Sequence, residues 1–174
     1  MIQVSSQVVY ENQWMSLRED RIRLPDGSPG LYSVVDKPVA ACVIPVEDDG
    51  FHLVEQFRYP IGRRSWEFPQ GTWPAGGEPG EDLARAELAE ETGLRAGSLA
   101  KIGRIALAPG LTSQECDVFV AAGLTRGPLA REHTEQGMEQ RWTPRGRFEE
   151  MIRDGLIIDN TTLAAYTLFL IRAA

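Results

Sequence analysis

Histidine and cysteine are scarce in this sequence of 174 residues, which contains two of each. His52 and His133 are too few for a histidine-rich metal site, so any bound cation should be a hard ion held by oxygen, such as Mg²⁺ or Mn²⁺. Cys42 and Cys116 lie far apart in apolar stretches, without the paired spacing of a metal-binding motif. We expect two buried thiols in a reducing compartment, and a disulfide is the less favoured alternative.

Basic residues are also in short supply. The chain has 18 lysines and arginines against 25 aspartates and glutamates, so its net charge is −7 and its isoelectric point is about 4.9. Such a chain repels nucleic acid, and no nucleic-acid partner is expected. If the substrate is itself an anion, metal ions should bridge it to carboxylates of the protein.

Long hydrophobic runs are absent as well. No stretch reaches the roughly 18 apolar residues of a membrane span, so none is predicted. The first six residues lack the basic and apolar regions of a secretory signal, and a cytoplasmic location is expected. Apolar residues make up 43% of the chain and charged residues 25%, which is typical of a globular protein with a substantial core.

The first 38 residues are predicted to form a small antiparallel β-domain. Residues 5–10, 18–24 and 31–35 have β-rich or alternating sequences, and Pro25-Asp26-Gly27 supplies a turn. So small a sheet cannot bury much surface by itself. It should therefore pack on the main domain, residues 39–174, or on a partner subunit.

The main domain alternates between strands and helices. The predicted strands are residues 39–46, 51–57, 102–107 and 116–122. The predicted helices are residues 81–92, ended by Gly93, residues 148–153, and a last segment capped by Asn160, Thr161 and Thr162. This order indicates an α+β fold in which a mixed β-sheet is sandwiched between α-helices.

The helix predicted over residues 81–92 carries a cluster of carboxylates. Glu87 and Glu91 are one turn apart on one face, and Glu90 flanks them. Three carboxylates this close repel one another, and a divalent cation would remove that cost and create a diphosphate-binding site. The common alternative is a solvated acidic surface. The Gly/Pro-rich residues 60–80 favour the metal site, because their backbone can approach a metal or phosphate closely.

The segment around this helix resembles the signature of the Nudix hydrolases, which ends R-E-U-x-E-E-x-G-U with U aliphatic. The residues that match at the signature spacing are Glu78, Glu87, Leu88, Glu90, Glu91, Gly93 and Leu94. Two positions depart from it. The signature arginine falls on Ala86, with Arg85 one position early, and the opening glycine falls on Thr72, one residue after Gly71. An extra residue in the loop at 73–76 would explain the second departure.

The resemblance implies a metal site and its catalytic residues. In the family, the glutamates that match Glu87 and Glu91 are metal ligands, and the one that matches Glu90 assists them. Gln70 stands where relatives have an alanine whose backbone carbonyl reaches the metal. The implied cofactor is Mg²⁺, with Mn²⁺ as a substitute, and Glu91 and Glu90 are implied to be catalytic.

The preceding residues resemble the ADP-ribose and nucleotide-sugar pyrophosphatase branch of the family. The two runs that carry this resemblance are Gln56-Phe57-Arg58-Tyr59-Pro60 and Trp66-Glu67-Phe68-Pro69-Gln70-Gly71. By this resemblance, Arg58 would contact a substrate phosphate and Glu67 would bind substrate or metal. The alternatives are a surface salt bridge for Arg58 and an ordinary charge at a strand end for Glu67.

The N-terminal residues resemble the same branch, in which a small β-domain is exchanged between the subunits of a homodimer. Family members hold the adenine between aromatic side chains of that region, and Trp14 and Tyr32 occupy comparable positions. Stacking a base between them would contribute about 1–3 kcal/mol. The alternative is that either side chain only packs the dimer or the core.

Many family members carry a glutamate in a mobile loop before the last strand, where it orients the attacking water or helps to hold metal. Gln136 falls at that position, with Glu132, Glu135 and Glu139 nearby. A glutamine can neither take a proton nor bind metal strongly, so Glu135 is the predicted catalytic residue of this loop. A second family glutamate similarly falls on Gln114.

Two later runs, Ala108-Pro109-Gly110-Leu111-Thr112 and residues 152–159, extend the resemblance over nearly the whole chain. The resemblance implies Mg²⁺-dependent hydrolysis of ADP-ribose, to AMP and ribose 5-phosphate, or of a related nucleoside diphosphate sugar. One alternative is a Nudix hydrolase of another substrate, such as GDP-mannose or a dinucleotide. The other is a non-catalytic module that senses a nucleotide.

Overall fold

The computed structural model describes residues 1–74, 80–129 and 137–173 of the chain. The helices are α1 (Glu81–Thr92), α2 (Arg145–Arg153) and α3 (Asn160–Ala173). The longer strands are β1 (Ile2–Glu11), β2 (Ser16–Arg23), β3 (Pro29–Asp36), β4 (Ala40–Glu47), β5 (Gly50–Arg58), β6 (Arg63–Glu67), β9 (Ser98–Ala106), β10 (Glu115–Ala122) and β12 (Glu139–Pro144). The two-residue strands are β7 (Gln70–Gly71), β8 (Leu94–Arg95) and β11 (Thr125–Arg126).

The first three strands form a separate antiparallel sheet in the order β1-β2-β3. The small N-terminal sheet is therefore confirmed, and each of its strands begins and ends within a few residues of its predicted bounds. Two hydrogen bonds hold β3 to the loop after β9: Val35 donates to the Leu111 carbonyl (2.9 Å), and Ser113 donates to the Val35 carbonyl (3.1 Å). All ten residues of β1 remain exposed to solvent.

The main sheet has the strand order β12-β5-β4-β10-β9, with β6 paired to β5 and β7 paired to β4. Strands β4 and β10 run parallel, and the other neighbours are antiparallel. This mixed sheet confirms the predicted α+β fold class. Strand β6 lies in the Gly/Pro-rich region, where no strand is predicted. Its first two residues, Arg63 and Arg64, are exposed, so no apolar alternation marks it in the sequence.

Strand β4 joins the two layers of the core, because its alternate side chains point to opposite faces of the sheet. Cys42 and Ile44 belong to one apolar cluster, which includes Phe148 of α2 and other side chains of α2 and α3. Val43, from the other face, belongs to a second cluster that includes Leu88 of α1. The helices therefore cover both faces of the sheet, and α1 is held rigidly against β4.

Both cysteines are buried and free, as the sequence predicts. Burial, the largest cause, raises the pKa of the Cys116 thiol to about 12. It also raises the pKa of Cys42 well above its ordinary value. Each therefore stays protonated at neutral pH and behaves as a small apolar side chain.

Local capping groups mark the end of α1 and the start of α3. Helix α1 has the predicted bounds, and Gly93 ends it in the left-handed conformation (φ 71°), donating its N–H to the Ala89 carbonyl at 2.9 Å. Helix α3 differs, because the carboxylate that caps it belongs to Asp159, whose Oδ2 accepts the Thr162 N–H at 2.7 Å. None of the helices in the described ranges is long and apolar enough to cross a membrane.

Candidate active site

An open cleft of about 610 Å³ lies where the loop between β1 and β2, the end of β5, strand β7 and helix α1 meet. The predicted site residues that line it are Trp14, Arg58, Gln70, Glu87, Glu90 and Glu91. In the sequence these residues extend from position 14 to position 91. The fold therefore brings most of the predicted site into one place.

The acidic face of α1 is turned inward. Glu87 is 8% exposed and Glu91 2% exposed, while Glu90 is half-buried. The alternative of a solvated acidic surface does not hold for these residues. Because ionised carboxylates are costly to bury without partners, this face requires compensating donors or cations.

Strand β7 provides one such donor and a close backbone approach. The Gln70 N–H donates to Oε2 of Glu91 at 3.1 Å. A Cβ atom at Gly71 would lie 2.5 Å from the Cδ atom of Glu87, so only glycine leaves room for this carboxylate. The glycine that the sequence places before the acidic helix is thus required by the position of Glu87.

Arg58 and Glu67 pair with each other, and Arg58 lines the cleft while Glu67 lies outside its described lining. The Arg58 Nε atom donates to Oε1 of Glu67 at 3.0 Å and its Nη2 to Oε2 at 2.8 Å. Burial raises the pKa of Glu67 above its ordinary value, and Arg58 limits the rise. Burial opposes the charge of Arg58, but the Glu67 carboxylate prevails and raises the pKa of the guanidinium.

The exposure of the two partners differs. The Glu67 side chain is completely buried, while that of Arg58 is 38% exposed and lines the cleft. Among the described residues of the cleft lining, Arg58 is the one basic side chain, and three are glutamates. These described residues would present an anionic ligand with more negative than positive charge.

The two aromatic residues predicted to hold a base differ in their relation to the cleft. Trp14 lines the cleft and is 40% exposed. Tyr32 is outside the described lining of the cleft, and its hydroxyl donates to the Gly110 carbonyl at 3.0 Å. Of the predicted pair, the fold therefore brings Trp14 to the cleft.

Several other predicted residues are placed differently or lie outside the described ranges. Glu135, Gln136 and Glu132 belong to residues 130–136, which are outside those ranges, as is Glu78. Arg85, one position from the signature arginine, binds Glu81 of its own helix, with Nε to Oε1 at 2.9 Å.

Gln114 connects Thr72, which lines the cleft, with Pro38, which lies between β3 and β4. It is 7% exposed and donates to the Pro38 carbonyl (3.0 Å) and to the Thr72 hydroxyl (3.2 Å). Glutamine at this position therefore binds the side chain of the residue that follows Gly71.

The donors at the cleft suit a hard divalent cation. Glu87, Glu91 and Glu90 offer carboxylate oxygens, and the Gln70 carbonyl would be added by β7. Within the described ranges, no three or more histidine, cysteine, aspartate or glutamate side chains are already gathered as a metal cage. Mg²⁺ usually binds through one or two carboxylates, together with substrate phosphates and water, and does not need a closed cage. The residues present fit that mode.

Sequence reasoning missed one residue that adjoins the site. Oδ2 of Asp159 accepts a hydrogen bond from the side-chain amide of Gln70 at 2.8 Å. The signals were available in the run 152–159, which ends in this aspartate, and in the glutamine that replaces the alanine of relatives. Their proximity, across 89 positions of sequence, is a product of the fold.

Comparison with known protein families gives two matches that together cover most of the chain. The nucleoside diphosphate sugar hydrolase N-terminal domain matches residues 1–35. The NUDIX domain matches residues 36–157. The boundary between them falls at the end of β3, where the N-terminal sheet ends.

Individual relatives agree with these family matches. An ADP-ribose pyrophosphatase of Mycobacterium tuberculosis is 31% identical over 163 residues, which are 92% of this chain and 79% of the relative. An ADP-ribose pyrophosphatase of Bacillus subtilis is 33% identical over 123 residues, 70% of this chain and 66% of the relative. The crystal structure of an ADP compounds hydrolase superimposes with a TM-score of 0.81 at 21% identity, covering 98% of this chain and 91% of that one.

The contact between Gly71 and Glu87 predicts the effect of one methyl group. Gly71→Ala should displace the Glu87 carboxylate and weaken Mn²⁺ binding, measured by electron paramagnetic resonance titration, by about 10- to 100-fold. The matched control is Gly146→Ala in α2, where an added Cβ meets nothing within 4 Å. Unchanged Mn²⁺ affinity in Gly71→Ala would show that Glu87 does not hold the metal.

Proposed function

Because this chain is a Nudix hydrolase of the ADP-ribose pyrophosphatase type, we propose that it hydrolyses ADP-ribose to AMP and ribose 5-phosphate in a Mg²⁺-dependent reaction. A related nucleoside diphosphate sugar is the alternative substrate. The observation that carries the proposal is the buried acidic face of α1, with Glu87 and Glu91 at 8% and 2% exposure beside a cleft. The ADP-ribose pyrophosphatases among its relatives support the choice of substrate.

The charges in the cleft support a diphosphate ligand that arrives with metal. Three glutamates face a single described basic side chain, Arg58, so a bare diphosphate would be repelled. Bound Mg²⁺ would neutralise the diphosphate and make a water molecule more acidic. Glu87, Glu91 and Glu90, with the Gln70 carbonyl, would hold it.

The chain's own residues then have separate roles. The half-exposed guanidinium of Arg58 binds a phosphate oxygen of the substrate, since it keeps donors left over from its pair with Glu67. Glu67 anchors Arg58 and stands at the edge of the metal and substrate site. A carboxylate, that of Glu91, Glu90 or Glu135, takes the proton of the attacking water. The water oxygen bonds to one phosphorus while the bond from that phosphorus to the bridging oxygen breaks, so that the bridging oxygen leaves with the other phosphate, and no covalent intermediate with the protein is needed.

We propose that the chain acts as a homodimer. Strand β1 is exposed along its whole length and carries large apolar side chains at 53–69% exposure: Ile2, Val4, Val8, Val9 and Tyr10. Exposed apolar strands at a sheet edge are aggregation-prone unless they are covered. A second subunit would cover β1 and would bring its own Tyr32 toward Trp14, so that the adenine stacks between side chains of two subunits.

The alternative functions differ in the ligand that the cleft binds and in whether they need a metal. Hydrolysis of GDP-mannose or of a dinucleotide would use the same carboxylates with a different base or sugar contact. A non-catalytic nucleotide sensor would have no use for a buried set of metal-binding glutamates. A panel of nucleotide sugars and dinucleotides, with identified products, separates the first group from ADP-ribose hydrolysis.

Removing one carboxylate from α1 tests the reaction itself. Glu91→Gln should lower kcat for AMP release from ADP-ribose about 10²- to 10⁴-fold, because it removes a metal ligand and proton acceptor. The control is Glu81→Gln on the same helix, whose side chain is 54% exposed and binds Arg85. EDTA should abolish the activity of both wild type and control. Full activity of Glu91→Gln would refute the role assigned to Glu91. If the wild type hydrolysed no member of the substrate panel, the proposed hydrolase activity would be refuted.

A single tryptophan tests the base contact. Trp14→Ala should raise KM for ADP-ribose about 5- to 100-fold, the equivalent of one lost stacking interaction, with a smaller change in kcat. Trp142→Ala is the matched control, since Trp142 is 39% exposed and lies outside the cleft lining, with its Nε1 bound to the Glu47 carbonyl. Equal effects of the two substitutions would count against a stacking role for Trp14.

Light scattering tests the homodimer. The purified chain should have a mass of twice 19.3 kDa, and Val8→Asp in β1 should shift it to the single-chain mass, because a charge would be buried in the interface. Leu170→Asp, at an exposed apolar position of α3, serves as the control and should leave the mass unchanged. A wild-type chain with the mass of one subunit would exclude the homodimer.

A further inference from the structure

The side chain of Gln70 occupies a position that neither the metal site nor the comparisons explain. Its main-chain N–H binds Glu91, and its carbonyl is the group assigned to the metal. Both roles belong to main-chain atoms, so neither of them needs the glutamine amide. The amide instead lies between two carboxylates from different elements.

Both hydrogens of the Gln70 amide are used. Nε2 donates to Oε2 of Glu67 at 3.0 Å and to Oδ2 of Asp159 at 2.8 Å. Both partners accept hydrogen bonds when ionised, so the amide nitrogen, and not its oxygen, must face them. A –NH₂ group with two donors is the neutral group that can separate two carboxylates while binding both.

The same contact connects the Arg58–Glu67 pair to the start of α3. Oε2 of Glu67 accepts from Gln70 and also from Nη2 of Arg58, at 2.8 Å. Oδ2 of Asp159 accepts from Gln70 and from the Thr162 N–H at 2.7 Å. A continuous chain of hydrogen bonds thus runs from the first turn of α3 to the guanidinium that lines the cleft.

The far end of this chain is firmly held. The Thr162 side chain is fully buried, and its hydroxyl accepts the Phe68 N–H at 3.0 Å. Phe68 is itself fully buried and stacks on Phe148, with ring centroids 5.2 Å apart. Asp159 is therefore linked to the packed core, while Arg58, at the other end, is the partly exposed member of the chain, with its side chain 38% exposed.

We propose that the side chain of Gln70, together with Asp159, is a positioning group that orients Glu67 and, through Glu67, the guanidinium of Arg58 for binding the substrate diphosphate. The expected effect of this role on KM rests on the proposed function. The orientation of Arg58 can also be measured without any substrate. Gln70 acts through Glu67 and is a positioning residue, not a catalytic one.

The central test replaces the amide while keeping its volume. Gln70→Met removes both donors but leaves the main-chain N–H and carbonyl in place. It should raise KM for ADP-ribose about 5- to 20-fold with kcat changed less than about threefold, because Arg58 would contact the diphosphate in ground and transition states alike. Gln70→Glu should be worse, since a third carboxylate would face Glu67 and Asp159.

Two matched variants separate positioning from general loss of packing. Gln140→Met also removes a half-buried amide, one whose Nε2 lies 2.7 Å from Nδ1 of His52, away from the cleft lining, and it should leave KM unchanged. Asp159→Asn keeps an oxygen that can accept from Gln70 and Thr162, and it should retain near-wild-type KM. Asp159→Ala should raise KM as Gln70→Met does.

A double-mutant cycle shows whether Gln70 acts through Arg58. In an Arg58→Ala background, Gln70→Met should cause no further rise in KM. An equal rise in both backgrounds would overturn the proposal. So would a Gln70→Met variant with a lowered melting temperature and wild-type KM, since the amide would then only stabilise the fold.

A measurement on the free protein keeps this inference distinct from the proposed function. The Nε–H of Arg58, bound to Glu67, should exchange slowly with water in the wild type by nuclear magnetic resonance, and faster in Gln70→Met. If the wild type hydrolyses no nucleotide sugar, the proposed function fails, and this exchange rate alone decides the inference. An unchanged rate would overturn the positioning role.

Discussion

The burial of acidic side chains on α1 is the constraint on which the rest of the site depends. Glu87 and Glu91 lie almost wholly inside the protein, where an ionised carboxylate is costly unless donors or cations compensate it. The N–H of Gln70 supplies one donor, and glycine at position 71 lets the chain pass against Glu87. The described lining of the cleft holds three glutamates and one arginine, so an anionic ligand that arrives with cations fits it better than a bare anion. The chemistry proposed for the cleft therefore demands a cation held close to α1.

The sheet meets the geometric side of that demand. Strand β4 packs against α1 on one face and against side chains of α2 and α3 on the other, and it also pairs with β7. Strands β5 and β6 are paired, and the long side chain of Arg58 reaches along this ladder, from its position opposite Arg63, to Glu67. Gln70 then ties this pair to Asp159 at the start of α3. The cleft is thus bordered by groups that the core holds in fixed positions.

Much of the fold could be predicted from the sequence wherever local signals decide it. The bounds of α1 follow from its acidic first turn and from Gly93, whose left-handed conformation only glycine adopts at little cost. The apolar run of β4 predicts a strand buried on both faces. Strand β6 could not be predicted in this way, because Arg63 and Arg64 open it and its ladder with β5 is a non-local pairing. The sequence pattern places the cap of α3 in residues 160–162, yet the carboxylate that caps the helix is on Asp159, one residue earlier.

The sequence is sufficient for the reaction class, because Glu87, Glu90 and Glu91 stand at the spacing of the signature that the chain resembles. The runs that resemble one branch of the family also predict roles for Arg58 and Glu67. The contacts of these residues depend on the tertiary structure. It joins Arg58 to Glu67, binds the Tyr32 hydroxyl to the Gly110 carbonyl, and sets Gln70 between two carboxylates. Such contacts link positions distant in sequence, so packing and not local propensity creates them.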